Sequence, residues 1–351
     1  MGAGFARYTK EGIVLERVTQ KPIGVGSEET RNNLEREMLA TLEELLKAYE
    51  GAYEDVRVVV AAPWEHAAIR TIKMKGEKPA TISMRHIENL IERYKNEKPP
   101  ASGNVDIEAA AVQIRINDYP TTLENPVTGT YTAINLYESE MSATLHRAIT
   151  GKVEAYVKPT KITFYTLPLI ASASLRAITD ETSFIFADVG GEVTEFGIMY
   201  RDALYFLASI PSGYWTMLRD FGDGTVGDAH SRLALWAKGE LSDSEQKTVE
   251  AQLEKACHAW LSELEKTLKE AGATVPFPRT LFLMSAPEPA RWIPKACERW
   301  GTMNLGVTPI TPPMIQQHLS LGEGALFDTF LALEAIFFHI GSDSVLGEPT
   351  P

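Results

Sequence analysis

The sequence predicts an α/β protein of two lobes with an inserted α+β unit. Three observations carry that reading. The chain has 351 residues, too many for one simple core, so two or more lobes around a cleft are expected. Short β-branched runs alternate with helix-length amphipathic stretches over most of its length. Between about residues 79 and 167 the order becomes helix, two strands, helix and strand, a compact unit with room for its own small core.

Gly12 to Val18 reads as the first strand, with none ahead of it in MGAGFARYTKEG and the glycines of GVG near residue 25 ending it. An amphipathic helix follows, presenting Leu34, Met38, Leu42, Leu45 and Tyr49 on one face. DVRVVVAAP is a buried-type strand closed by Pro63, and AAIRTIKMK alternates as a second strand would. The inserted unit opens with the helix ISMRHIENLIERYKNE, whose His86 falls on the apolar face and is expected to be a satisfied core residue. The strands VDIEAAAVQIRIND and GTYTAINLYESE come next, then a helix from about Ser142 to Val157 and the strand KITFYTL. Past the small-residue helix PLIASASLRAI, the run SFIFADVGGEVTEFGIMYRDALYFLASIP alternates through three strands, turning at the glycine pair and at Arg201 and Asp202. Helices dominate the remainder: a long one from about Ser244 to Ala271, one ending near Trp300, and an apolar one over Leu326 to Phe338. The strand Arg279 to Ser285 interrupts them, and the polar tail SDSVLGEPTP is expected to fray.

Composition narrows the function. Hydrophobic content of 44% and charged content of 23% describe a globular protein, and the net charge of -13 excludes unaided nucleic-acid binding, since no block of Lys and Arg is available to replace phosphate counterions. A nucleotide could still be held locally by backbone amides. Cys257 and Cys297 lie in no CxxC, so they read as inert thiols of a reducing cytoplasm. No apolar run reaches the eighteen or so residues of a membrane span, and the N-terminus lacks the order of a signal peptide. The seven histidines form no HExxH, and Ser212 lacks a G-x-S-x-G frame. GDGTVGD at 222–228 fails the calcium-loop spacing and reads as a solvated loop. Tyr214, Trp215, Trp236 and Trp260 recur at helical spacing, which favours core packing over base stacking. No nucleophile, base and orienter set emerges.

The stretch DVGGEVTE at 188–195 holds the most chemistry. Its strand, turn, strand context disfavours a Walker-type loop or a dinucleotide fingerprint, both of which need the glycine turn to open a helix. Glycines let backbone amides approach a phosphate that a Cβ would hold off, and an Asp at a strand end can orient a metal-bound water. Asp188, Gly190 and Gly191 meet that requirement. An ordinary hairpin, a degenerate phosphate turn and a working phosphate site all remain open from these residues.

DVGGEVTE resembles the second phosphate motif of the actin, Hsp70 and sugar-kinase superfamily. Three features resemble its FtsA and PilM branch more narrowly: the inserted unit with ENPVTGTYTAINLYESEM, similar to an SHS2 subdomain; LPLIASASLRAI ahead of the turn; and the hairpin continuation ending in IPSGY. The resemblance implies an actin-like (ribonuclease H-like) two-lobed α/β fold with an inserted SHS2-like subdomain. Residues 1–78 would form lobe I without the family's first phosphate strand, 79–167 the insertion, and 168–351 the rest of lobe I and lobe II. It implies ATP and Mg²⁺ as ligands, with Asp188 toward the metal. The turn residues Gly190, Gly191, Glu192, Val193, Thr194 and Glu195 would face the phosphates, together with Ser212, Gly213, Lys238 and Ser285.

Departures from the motif argue that such binding is weak or absent. Glu192 stands where the family has a third glycine, and a carboxylate ~4 Å from a phosphate charge costs about 4 kcal/mol at an effective dielectric near 20, roughly a thousandfold in affinity. Val193 removes a hydroxyl donor, Glu195 lengthens the final acid, and Ser285, Ala286 and Pro287 replace an adenosine-side glycine pair, proline offering no amide. The resemblance thus implies a cytoplasmic adaptor of type IV pilus assembly or cell division. Such an adaptor binds the cytoplasmic peptide of a membrane-anchored partner, reaches the inner membrane only through it, and is able to self-associate. An ATP-binding, polymerising FtsA-like protein and a sugar-kinase-like phosphotransferase are the alternatives.

Overall fold

The computed structural model describes residues 1–10, 12–21, 23, 33–221, 225–272 and 277–341. The glycines near residue 25, the start of the 222–228 stretch and the tail over 342–351 lie outside the described residues.

A five-stranded sheet forms the second lobe: β9 (Phe184–Val189), β10 (Thr194–Tyr200), β11 (Ala203–Ile210), β12 (Thr280–Ser285) and β13 (Gly306–Pro309), in the order β11-β10-β9-β12-β13. β9, β10 and β11 form an antiparallel meander, whereas β12 runs parallel to β9 and β13 parallel to β12. Both faces of this sheet are covered, so its strands are apolar on alternate and intervening positions alike. Ile185, Ala187, Phe196, Ile198 and Leu283 pack against α5 (Tyr214–Asp220), α6 (Val226–Lys238), α7 (Asp243–Gly272) and α8 (Pro287–Trp300). Phe184, Phe186, Met199 and Phe282 face α4 (Leu167–Ile178) and α10 (Thr329–Ile340).

The same pair of helices carries the first lobe on its other side. There β1 (Gly2–Thr9), β2 (Gly12–Gln20) and β14 (Leu319–Leu321) form one small sheet, and β3 (Asp55–Val60) with β8 (Lys161–Thr166) a second. The two lie side by side: the Phe5 and Tyr53 rings are 6.3 Å apart, and α1 (Leu34–Lys47) and α3 (Ala143–Val157) cover Ala3, Val56, Val58 and Phe164 from one face. The layers therefore alternate helix, sheet, helix, sheet, helix. A short α9 (Pro312–Ile315) precedes β14.

β1 corrects the expectation that no strand precedes Gly12. It pairs with β2 along its whole length, and Gly2 and Gly4 sit where a Cβ would press on Leu331 at 3.3 Å, so small residues let α10 lie close. The first lobe thus begins with a hairpin, as the second does with β9 and β10. Its turn, with Thr9 and Lys10 before Gly12, carries neither an Asp nor a glycine pair.

The inserted sheet has the order β4-β7-β5-β6, from β4 (Glu65–Ile82), β5 (Asn104–Ile116), β6 (Tyr119–Pro120) and β7 (Val127–Ser142). With α2 (Met84–Glu97) it encloses a core of Ile82, Ile87, Ile114, Ile116, Leu123 and Ile134. β4 runs straight through the boundary expected at 78/79; Pro79 falls in the register break between Lys75 and Ala80, where a missing N–H costs nothing. His86 is also corrected: it is exposed, and its ring nitrogen meets the Ser83 hydroxyl at 2.8 Å to cap α2.

Candidate functional site

Asp188 and Glu195 face each other across the β9–β10 hairpin, where they are register partners. Asp188 keeps some contact with solvent, whereas Glu195 is buried. Burial pushes the Asp188 carboxyl up to about 8, with the Glu195 charge adding. Glu195 is raised well above its usual range by burial and by Glu65. Both causes favour the protonated form of Asp188. Among the described residues no three His, Cys, Asp or Glu side chains are placed to hold a metal ion.

The glycine pair of the turn approaches protein backbone. Gly190 N–H donates to the Val193 carbonyl at 3.0 Å, while the Gly190 and Gly191 carbonyls accept the N–H groups of Tyr214 and Trp215, each at 2.8 Å. Gly213 permits this docking, because a Cβ there would stand 2.5 Å from the Gly190 oxygen. A Cβ on Gly191 would lie 2.2 Å from Cδ1 of Trp215, so the indole rests directly on the turn. α5 is thereby seated on the hairpin.

Glu192 has a different role from the one its sequence position suggests. Arg219 on α5 donates to both of its oxygens, at 2.9 and 2.5 Å, with both side chains mostly covered. The guanidinium neutralises the carboxylate, so the repulsion of about 4 kcal/mol inferred for a bare Glu192 does not apply in this arrangement. An incoming phosphate would have to compete with Glu192 for Arg219.

Thr194 is fully buried and structural. Its hydroxyl donates to the Ser212 carbonyl at 2.7 Å and accepts the Trp260 indole N–H at 2.9 Å, linking the hairpin to β11 and α7. Val193 is half-buried at the turn. Ser285 comes close through the sheet, being in register with Val189, and its hydroxyl reaches the Ala286 carbonyl at 3.1 Å. The structure thus gathers residues 188–195, Ser212, Gly213 and Ser285 in one place.

Lys238 is not among them. It lines a cavity of about 400 Å³ with Trp236, Glu250, Lys295, Arg299 and Trp300. α8 starts beside the turn and carries Lys295 to Trp300 roughly 12–20 Å along its axis, at 1.5 Å per residue. Sequence reading missed Trp215 and Arg219 as partners of the turn. Their spacing of four residues on one helix, just past IPSG, was the available signal.

No family model matches this sequence, and neither does any curated protein. Among solved structures, a chain of a PilM–PilN type IV pilus biogenesis complex superimposes with a TM-score of 0.62, over 99% of this chain and 96% of its own, at 12% identity. The fold is actin-like, of the PilM kind. A Bacteroides thetaiotaomicron protein of actin-like ATPase fold and unknown function aligns over 95% of this chain and 94% of its own at 10% identity, but its TM-score of 0.37 is too low to add weight. At these identities the likeness concerns the fold alone. Within that PilM-like architecture the β9–β10 turn lies at the carboxyl ends of β9 and β12.

Proposed function

We propose that this chain is a cytoplasmic adaptor that binds the cytoplasmic segment of a membrane-anchored partner, in pilus assembly rather than division, with ATP and Mg²⁺ bound weakly or not at all. The observation that carries this reading is the seating of α5 on the turn: the carbonyls of Gly190 and Gly191 hold the α5 backbone, and Trp215 covers Gly191. Glycines that would admit a phosphate elsewhere here admit a helix. The likeness to a chain from a PilM–PilN complex supports a protein partner. Among the described residues no helix is long and apolar enough to cross a membrane.

The test is titration of the whole chain with synthetic cytoplasmic peptides of membrane proteins encoded beside it, with and without ATP and Mg²⁺. The adaptor reading expects one peptide to bind equally well in both conditions. Binding that appears only with nucleotide would favour the polymerising, ATP-dependent alternative.

A further inference from the structure

Glu65 and Glu195 belong to different bodies of the fold yet share one buried point. Glu65 opens β4 of the insertion, and Glu195 lies on β10 of the second lobe. Their residues are only 8% and 6% exposed, and their carboxyls are within hydrogen-bonding reach of each other. Among the described residues, both oxygens of Glu65 and Oε2 of Glu195 have no donor.

Among the described residues the Ala62 backbone alone favours the charged form of Glu195. Glu108 on β5, Tyr137 on β7 and Asp188 on β9 face the pair, while Thr166 at the end of β8 is committed to Glu108 and Tyr137. Among the described residues, the groups acting on Glu65 and Glu195 are other acids and the Ala62 backbone, with no Lys, Arg or His among them. β11 packs on β4 and β12 lies beside β9, and neither carries a charged side chain.

Two carboxylates without donors, cations or much water would repel and leave unpaired charge in the interior. One proton changes the arrangement, because a protonated carboxyl becomes a donor to its neighbour and the orphaned oxygens form a charge-assisted pair. Burial pushes Glu65 up to about 7, which accords with a retained proton.

We propose that a proton held between Glu65 and Glu195 is the latch that fastens the insertion to the second lobe, and that its loss releases this joint. The step is transfer of that proton to solvent, leaving a charge the closed joint cannot accommodate. The inference goes beyond the adaptor reading and depends on neither partner nor nucleotide.

The full chain is tested by hydrogen exchange at pH 5, 6, 7 and 8 in buffers containing EDTA, with rates corrected for intrinsic exchange. A folded carboxyl that keeps its proton up to about 7, when the open form sheds it in the ordinary carboxylate range, makes the joint open more as pH rises between those values. Opening of segments 61–68 and 194–199 should therefore grow at least tenfold per pH unit from 5 to 7. Segment 249–264 of α7, whose exchange carries the whole chain's pH response, should open less than the joint at every pH. The double variant Glu65→Gln with Glu195→Gln, whose amides can pair without titrating, should cut the growth to less than twofold. An unchanged pH response in that variant would overturn the latch. Should the variant fail to fold, the wild-type chain decides alone: opening at the joint no greater than in α7 at pH 7 would overturn it as well.

Discussion

Arg219 grips Glu192 through both terminal nitrogens, at 2.9 and 2.5 Å, and so ties the β9–β10 turn to α5. The pair joins a hairpin, whose glycines resemble a phosphate motif, to a helix that lies on those glycines. Each of the following outcomes depends on that seating or on the buried groups beneath it.

Gly191→Ala should destabilise the chain by about 1–3 kcal/mol, since the new methyl would meet the Trp215 indole at 2.2 Å. Urea unfolding measures this directly. The same substitution in a Trp215→Ala background should cost less than half as much, because the clashing ring is gone; equal costs in the two backgrounds would place Trp215 elsewhere.

Thr194→Val keeps the shape and removes the hydroxyl that serves Ser212 and Trp260. It should cost about 1–3 kcal/mol, the penalty for leaving a buried carbonyl and an indole N–H unsatisfied. A loss near zero would mean that ordered water replaces the hydroxyl.

Glu108 links pH to stability. Its Oε2 accepts the Thr166 N–H at 2.8 Å, its Oε1 has no partner, and burial pushes its carboxyl up to about 8. The folded chain keeps a proton there that the unfolded chain sheds near 4.5. Its contribution is therefore fully present below about 4.5 and is lost as pH climbs toward 8, by at most about 1.4 kcal/mol per unit. Urea midpoints at pH 5 and 8 should fall less in Glu108→Gln than in the wild type; parallel declines would remove Glu108 from the account.

Cys257 and Cys297 are buried, and burial pushes both thiols far above their usual range, Cys297 to about 12. A thiol-reactive dye should label neither in the native chain and both in urea. Rapid native labelling of either would show that the α7–α8 core opens readily.

Much of the architecture was legible in the residues. The β9–β10–β11 meander followed from three apolar runs separated by the glycine pair and by a turn at Arg201 and Asp202, both of which adopt positive φ. The amphipathic faces of α1 and α2 were equally clear. What failed was local inference at glycines and prolines. GAGFARYT has too few β-branched residues to read as a strand, and β1 exists because β2 and α10 hold it. Pro79 read as a boundary, yet β4 absorbs it at a register break.

The candidate site was legible in its members and not in its contacts. Asp188 to Glu195, Ser212, Gly213 and Ser285 come together as the motif order indicated, because β9, β10 and β12 are neighbours. The neutralisation of Glu192 by Arg219, the stacking of Trp215 on Gly191 and the meeting of Glu195 with Glu65 are tertiary events. Sequence spacing along one strand carries no information about them. Lys238 illustrates the converse, a residue chosen for its type that the fold carries to the far end of α8.

The central proposal is that α5, seated on the turn, keeps a triphosphate from it. Calorimetric titration of the whole chain with ATP and Mg²⁺ tests it most directly. The account predicts no binding tighter than roughly millimolar, a free energy of about -4 kcal/mol or weaker. A dissociation constant in the micromolar range, about -8 kcal/mol, would contradict it.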